Sequence, residues 1–294
     1  MSDLDIFEWL AWDRFLAVIA TRDPNRITVT PGSVLGLPED DGPPALLHVN
    51  LSRPEIAFPN YAEWIARYEE LGRPVINGYC ASIDKWSIQE ACEAAGLPHV
   101  RIAREGDPGE LVIAKTRANY GGLAEAKLDP KLAGGLAPPP WPYPQRVQLF
   151  RRDAVPAAMW DDPRMTVERY VRNSKGRFRR AYVVGDYVAV ATSYSDDVLK
   201  TMEQRDGVDL VSVKSAKDLP YDPRDPISVT YRLARAMRVD FAALDLALDE
   251  DGVNHPIDVN TTPSWGRDHN PRLIQELTEA MAVLIDRGSL HARR

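Results

Sequence analysis

The segment "FAALDLALDEDGVNHPIDVN" limits the fold more than any other stretch of the chain. Apolar and polar residues alternate on both sides of Asp251-Gly252, a dipeptide that suits a tight hairpin turn. A two-residue turn there sets Leu246 opposite Ile257 and Leu244 opposite Val259, an apolar face for the core. On the other face Asp245 meets Asp258, and Ala243 meets Asn260. Opposed carboxylates on a sheet repel each other. One reading is a solvated face with incidental acids. The other is a divalent cation held by Asp245, Asp258 and Asn260, whose hard oxygens suit Mg²⁺, with Mn²⁺ as the alternative ion. The second strand breaks at once in Thr261-Thr262-Pro263, so these donors stand at a strand end.

Composition narrows the class. The 294 residues suffice for one large or two modest domains, and 44% hydrophobic with 27% charged residues is the balance of a soluble globular protein. A net charge of −7 speaks against nucleic acid as a partner. Cys80 and Cys92 form no C-x-x-C pattern, which excludes a Cys-based zinc site or disulfide framework and fits a reducing compartment. Acids at Asp3, Asp5, Glu8 and Asp13 interrupt the first apolar residues, so no signal peptide is expected. No apolar run reaches membrane-spanning length. The expected location is the cytoplasm, with no membrane contact, and a homo-oligomer is compatible with all of this.

Residues 1–79 read as a short α/β domain. Apolar runs at 15–20 and 45–50 have strand length, with a Pro- and Gly-rich loop between them. Residues 61–71 have helical spacing, with Ala62, Ile65, Ala66 and Tyr68 for burial and Gly72 as a stop. Residues 74–77 make a short strand. "SIDKWSIQEACEAAGLPHV" is the clearest helix, with Ser82 as N-cap, Ile88, Ala91, Cys92 and Ala95 as the inner stripe, and Gly96 and Pro98 beyond its end. Residues 111–114 form a buried strand, with Lys115 at its end and Gly121-Gly122 behind it. Five prolines between 138 and 144 make a stiff spacer or surface loop. Then come residues 147–150, "MTVERYV", and two strands around Gly185-Asp186, a second hairpin signal. Helices are expected at 227–237 and 273–285, on either side of the acidic hairpin.

Two lysines carry a possible binding chemistry. Glycines let backbone N–H groups approach phosphate closely, and lysine adds a point charge, although Lys115 with Gly121-Gly122 lacks the spacing of a Walker loop. Lys85 falls in the first turn of its helix, where a cation is unfavourable. A phosphate partner explains either lysine; a surface lysine is the other reading. Six basic residues lie between Arg169 and Arg180. They read as an exposed charged strand pair or as bidentate grips for phosphate or carboxylate. Strand alternation points Arg180, Tyr182 and Val184 one way and Arg179, Ala181 and Val183 the other.

The ordered set is more specific than any member: Lys85 at a helix start, Lys115 at a strand end, a glycine loop, "VERYV", "RRAYVVGD", Asp245 and "IDVNTTP". From residue 75 to residue 270 it resembles the ATP-grasp superfamily, most nearly the branch of glutathione synthetases and of ligases that add glutamate to ribosomal protein or amino-acid carrier proteins. The resemblance implies an α/β protein with the ATP-grasp fold. A first lobe over residues 80–168 and a second over 169–294, both α+β, would hold the nucleotide between them, after the N-terminal domain. It implies that Lys85 and Lys115 bind ATP phosphates and that the Gly121-Gly122 loop covers them. Glu168, with the backbone of Tyr170 and Val171, would face the adenine at the hinge. Arg180 would meet the acyl or transferred phosphate, and Asp245, Asp258 and Asn260 would hold Mg²⁺. Three positions depart from the family pattern. Asp258 stands where Glu is usual, Phe178 stands where the D-x-R motif has Asp, and Pro263-Ser264-Trp265-Gly266 replaces a Pro-Gly.

The implied chemistry is carboxylate activation. The γ-phosphoryl of ATP passes to a carboxylate, and an amine or thiol displaces phosphate from the acylphosphate. The partners are then a small-molecule carboxylate and an amine, a peptide or amino acid among them. Such a reaction needs positioning and charge, not a protein nucleophile, and the five histidines fall in no triad or metal spacing. Two alternatives stay open: a small-molecule kinase on the same fold, and a non-catalytic nucleotide-binding protein. The intact Lys115, Asp245, Asp258 and Asn260 speak against the latter.

Overall fold

A computed structural model of the protein describes residues 4–8, 27–31, 42–50, 52–53, 61–122, 125, 147–194, 206–263, 270–287 and 290–291. The strand expected at 15–20 and the proline-rich segment lie outside these residues. Three sheets are present among them. The first is parallel, in the order β2-β1-β3-β4, with β1 Leu4–Glu8, β2 Ile27–Pro31, β3 Ala45–Leu47 and β4 Val75–Ile76. The second is antiparallel, in the order β6-β5-β7, with β5 Leu111–Thr116, β6 Val147–Arg151 and β7 Met165–Arg169. The third is antiparallel, in the order β10-β9-β8-β11-β12, with β8 Arg177–Val184, β9 Tyr187–Tyr194, β10 Asp206–Val213, β11 Phe241–Leu248 and β12 Asn254–Asn260.

Five helices accompany the sheets among the described residues: α1 Tyr61–Glu70, α2 Lys85–Ala94, α3 Ala157–Asp161, α4 Pro226–Ala236 and α5 Pro271–Arg287. In α1 the buried residues are Trp64, Ile65 and Tyr68, while Ala62 and Ala66 are exposed. The large Trp64 claims the inner face, and Ala62 and Ala66 each lie two positions from it, about 200° around the helix. The start of α2 also differs from expectation. Asp84, not Ser82, is the N-cap and accepts from Trp86 N and Ser87 N at 2.8 and 3.1 Å. Ser82 Oγ instead accepts from Asp84 N at 3.1 Å. β1, β10 and α3 match no expected element, and β2 is a strand within the stretch expected to be a Pro- and Gly-rich loop, where its alternating Ile27, Thr28, Val29 and Thr30 suit a strand. In β10, Asp206 and Asp209 break the apolar pattern of an edge strand.

The third sheet is covered on both faces. Ala181, Val183, Leu244 and Val259 pack against Ile88 and Cys92 of α2 and Leu233 of α4. Tyr182, Val184, Phe241 and Ala243 pack against Leu277 and Met281 of α5 and against Leu46 and Ile76 of the parallel sheet. Arg180, Asp245, Asp258 and Asn260 share this second face by strand register, in the part that carries charge rather than apolar side chains.

The acidic hairpin has the expected pairs for a different reason from the expected one. Its connection is residues 249–253, closed by Asp249 N to Val253 O at 3.1 Å, not a two-residue turn. Near the loop Leu248 pairs with Asn254 and Leu246 with Pro256, not with Ile257. A bulge follows, and beyond it Asp245 pairs with Asp258 and Ala243 with Asn260. Proline has no N–H for the ladder, so a bulge on an edge strand is where it fits.

Candidate nucleotide and metal site

The site is assembled on β12, the outer strand of its sheet. An edge strand leaves carbonyls unpaired, and here three side chains from outside the sheet take them. Gln89 Nε2 of α2 donates to Pro256 O at 2.9 Å, and Lys115 Nζ of β5 donates to Ile257 O at 3.3 Å. Asn119 Nδ2 donates to Val259 O at 2.6 Å. Asn119 opens the short 3₁₀ turn Asn119–Gly122, in which Gly121 and Gly122 have φ of +65° and +75°. That left-handed backbone favours glycine, so the glycine loop starts bonded to the acidic strand.

Lys85 is the first residue of α2 and is buried, 6% exposed. Its Nζ donates to Asn119 Oδ1 and Asp258 Oδ1. A lysine at the unfavourable end of a helix therefore has a carboxylate and an amide oxygen as partners within the protein. Lys115 Nζ lies 2.6 Å from Glu168 Oε2. Glu168 is 3% exposed, and its Oε1 is buried without a hydrogen-bond partner among the described residues. On the neighbouring strand pair Arg180 Nη1 lies 3.4 Å from Asp245 Oδ1. The opposed acids Asp245 and Asp258 thus each face a cation of the chain.

The donors fit a hard divalent cation in part. No three His, Cys, Asp or Glu side chains gather into a cluster among the described residues. The candidate set is two cross-strand carboxylates and an amide. Asp245 and Asp258 carry the oxygen chemistry that Mg²⁺ requires. Asn260 is more committed: its Oδ1 accepts from Thr262 N at 2.9 Å and Thr262 Oγ1 at 3.1 Å. Thr261 Oγ1 meanwhile donates to Val49 O at 2.5 Å, tying this strand end to the segment that follows β3.

At the end of β7, Tyr170 N donates to Leu111 O at 3.0 Å. Of the Tyr170 backbone, the N–H is thus used within its own sheet. Sequence reasoning also missed three neighbours of Lys85. Asn119 and Gln89 lie outside any motif. Glu125 is fully buried and accepts from Ser52 N at 2.7 Å through Oε1. Burial pushes the Glu125 carboxyl up, and the charge of Lys85 is among the influences opposing this. Arg179 is not a surface residue. It is half-buried, donates to Asn254 Oδ1 at 2.5 Å, and desolvation, then Arg177, lower its pKa.

This architecture is the ATP-grasp fold. The structure of the ATP-grasp ligase PsnB complexed with a phosphomimetic variant of its minimal precursor, Mg and ADP superposes with a TM-score of 0.57 at 14% identity, over 95% of this chain and 99% of that one. A RimK domain ATP-grasp protein from Sphaerobacter thermophilus gives 0.54 at 15% identity, over 96% and 99%. VanG D-Ala:D-Ser ligase from Enterococcus faecalis gives 0.53 at 11% identity, over 97% and 100%. No protein-family model and no curated protein matches the sequence. No helix among the described residues is long and apolar enough to cross a membrane.

Proposed function

We propose that the protein is an ATP-dependent ligase that joins a carboxylate to an amine or thiol through an acylphosphate, releasing ADP and phosphate. The observation that supports it best is the convergence on β12: Lys85 bonds to Asp258, Lys115 bonds to the adjacent Ile257 carbonyl, and Asp245 with Arg180 lies directly across. Cations and carboxylates from a helix and four strands meet at one strand end. In this reading residues 80–168 and 169–294 are the two lobes around the nucleotide. α2 is the element of the first lobe that packs into the core of the second.

Lys85 and Lys115 turn to the phosphates, and the Gly121-Gly122 loop covers them. Glu168, the Tyr170 carbonyl and the Val171 backbone meet the nucleoside. Asp245 and Asp258 would hold Mg²⁺, with Asn260 joining by giving up a Thr262 bond. The ion supplies positive charge that offsets the charge of the phosphates. Arg180 grips the substrate carboxylate. A carboxylate oxygen attacks the γ-phosphorus and ADP leaves. The amine then attacks the acyl carbon and loses a proton, the C–O bond breaks, and phosphate departs. An amino acid or peptide is the substrate class proposed, in line with the precursor peptide bound by the structurally similar macrocyclase MdnC. A screen of acids paired with amines for coupled ADP release tests the reading. Release that needs both an acid and an amine is expected. Release with one acceptor and a stable phosphorylated product would make the protein a kinase.

A further inference from the structure

We propose that Lys85 holds the place of the metal on Asp258 in the free protein, so that the site takes a preformed metal–nucleotide chelate and rejects the free divalent cation. The assignment of a nucleotide site above is its starting point; the exchange itself rests on three local observations.

First, Lys85 is buried at a helix N-terminus, where the backbone repels a cation. It is held there by Asp258 and by the Asn119 amide oxygen. Second, the Asp258 side chain is 36% exposed while that of Lys85 is 8% exposed. The carboxylate is therefore open to an incoming ligand on the side away from the lysine. Third, Asp245 already faces Arg180. Each of the two opposed carboxylates thus has a cation of the chain beside it among the described residues. To take Asp258, a free divalent cation must displace the Lys85 ammonium from its carboxylate partner while that ammonium stays buried, which is costly.

A metal–nucleotide chelate brings its own acceptor. Its phosphate oxygens replace Asp258 on Lys85 as its metal takes Asp258, and no buried charge is left alone at any stage. Asn119 makes this a pivot rather than a release. Its Nδ2 is fixed to Val259 O at 2.6 Å, so its Oδ1 keeps one bond to Lys85 while the lysine changes its other partner. Lys85 thereby sets what the site accepts, and Asn119 is its positioning residue.

Titration of Mn²⁺ followed by electron paramagnetic resonance tests this without any turnover. Wild-type protein is expected to bind free Mn²⁺ weakly, and at least about tenfold more tightly with a non-hydrolysable ATP analogue present. Lys85→Met removes the placeholder and is expected to raise the affinity for free Mn²⁺ at least about tenfold. Lys85→Gln, which keeps a hydrogen-bond donor without the charge, guards against a folding defect in the methionine variant and is expected to do the same. Equal free-Mn²⁺ affinity in wild type and both variants, with the wild type still binding the Mn²⁺–analogue complex, would overturn the placeholder alone. Failure of wild type to bind the Mn²⁺–analogue complex would remove the nucleotide site itself.

Discussion

At the residue scale, the two adjacent arginines of β8 separate function from stability. Arg180 shares a face with Asp245 and Asp258, and on the mechanism proposed above its loss would remove a grip that strengthens as charge builds on the transferring group. Arg180→Ala should lower kcat and kcat/KM together by at least about 10²-fold, roughly 3 kcal/mol of transition-state stabilisation. Arg179→Ala should leave kcat unchanged and lower thermal stability by about 1–2 kcal/mol, because the buried Asn254 loses a donor. Steady-state kinetics and melts of both variants check this; a larger catalytic loss at Arg179 would mean that the strand faces are wrongly assigned. Asp258→Asn should cost at least about 10²-fold in Mg·ATP turnover. It should also destabilise the protein by about 1 kcal/mol, since Lys85 keeps only neutral partners. Wild-type turnover in a folded Asp258→Asn protein would end the metal assignment. These carboxylates were legible in the sequence because strand alternation fixes which residues share a face. Lys85 was legible only as an anomaly: its partners, Asn119 and Asp258, are far along the chain, and nothing local announces them.

At the scale of elements, the junctions matter more than the strands. Asn77 ends β4 with φ +63° and clamps the start of β11. Its Oδ1 accepts from Asp240 N and Phe241 N at 3.0 and 2.9 Å, and its Nδ2 donates to Phe241 O at 2.7 Å. Alanine there loses all three bonds in a buried place and dislikes the left-handed backbone, so Asn77→Ala should cost about 2–4 kcal/mol in denaturant unfolding. Asn77→Gly, which accepts the backbone, should cost measurably less; equal costs would show that the conformation is unstrained. A second junction is pH-sensitive. Arg152 bonds Glu110 and, with Arg169, holds its carboxyl below the usual range. A lowered folded-state pKa adds stability above the unfolded value, and that stability is lost as pH falls through the folded value. Glu110→Gln should therefore be less stable than wild type at neutral pH, with the gap closing in melts as pH falls through and below the usual carboxylate range. A gap that widens on acidification would reverse the sign assigned here. The hairpin of β11 and β12 shows why registers are only partly readable. A longer loop and a bulge beside Pro256 cancel, so the acids pair as a two-residue turn requires while the loop-proximal pairs shift by one.

At the scale of the molecule, three sheets meet where β12 exposes its edge, and side chains from α2, β5 and the glycine loop close it. The order of motifs along the chain was enough to name the fold, because the set as a whole is more specific than any one member. It could not show the docking of α2 onto the five-stranded sheet, which depends on the inner stripe of a helix finding a face built more than eighty residues later. Nor does the fold fix the chemistry, since positioning and charge serve a ligase or a kinase equally. The most direct test of acylphosphate formation follows the atoms. Once the acid substrate is identified, its carboxylate is labelled with ¹⁸O and turned over with Mg·ATP and the amine. The released phosphate is then read by ³¹P NMR isotope shift or mass spectrometry. Attack of the carboxylate on the γ-phosphorus predicts one labelled oxygen in inorganic phosphate beside ADP. Label in AMP, or phosphate free of label, would contradict it.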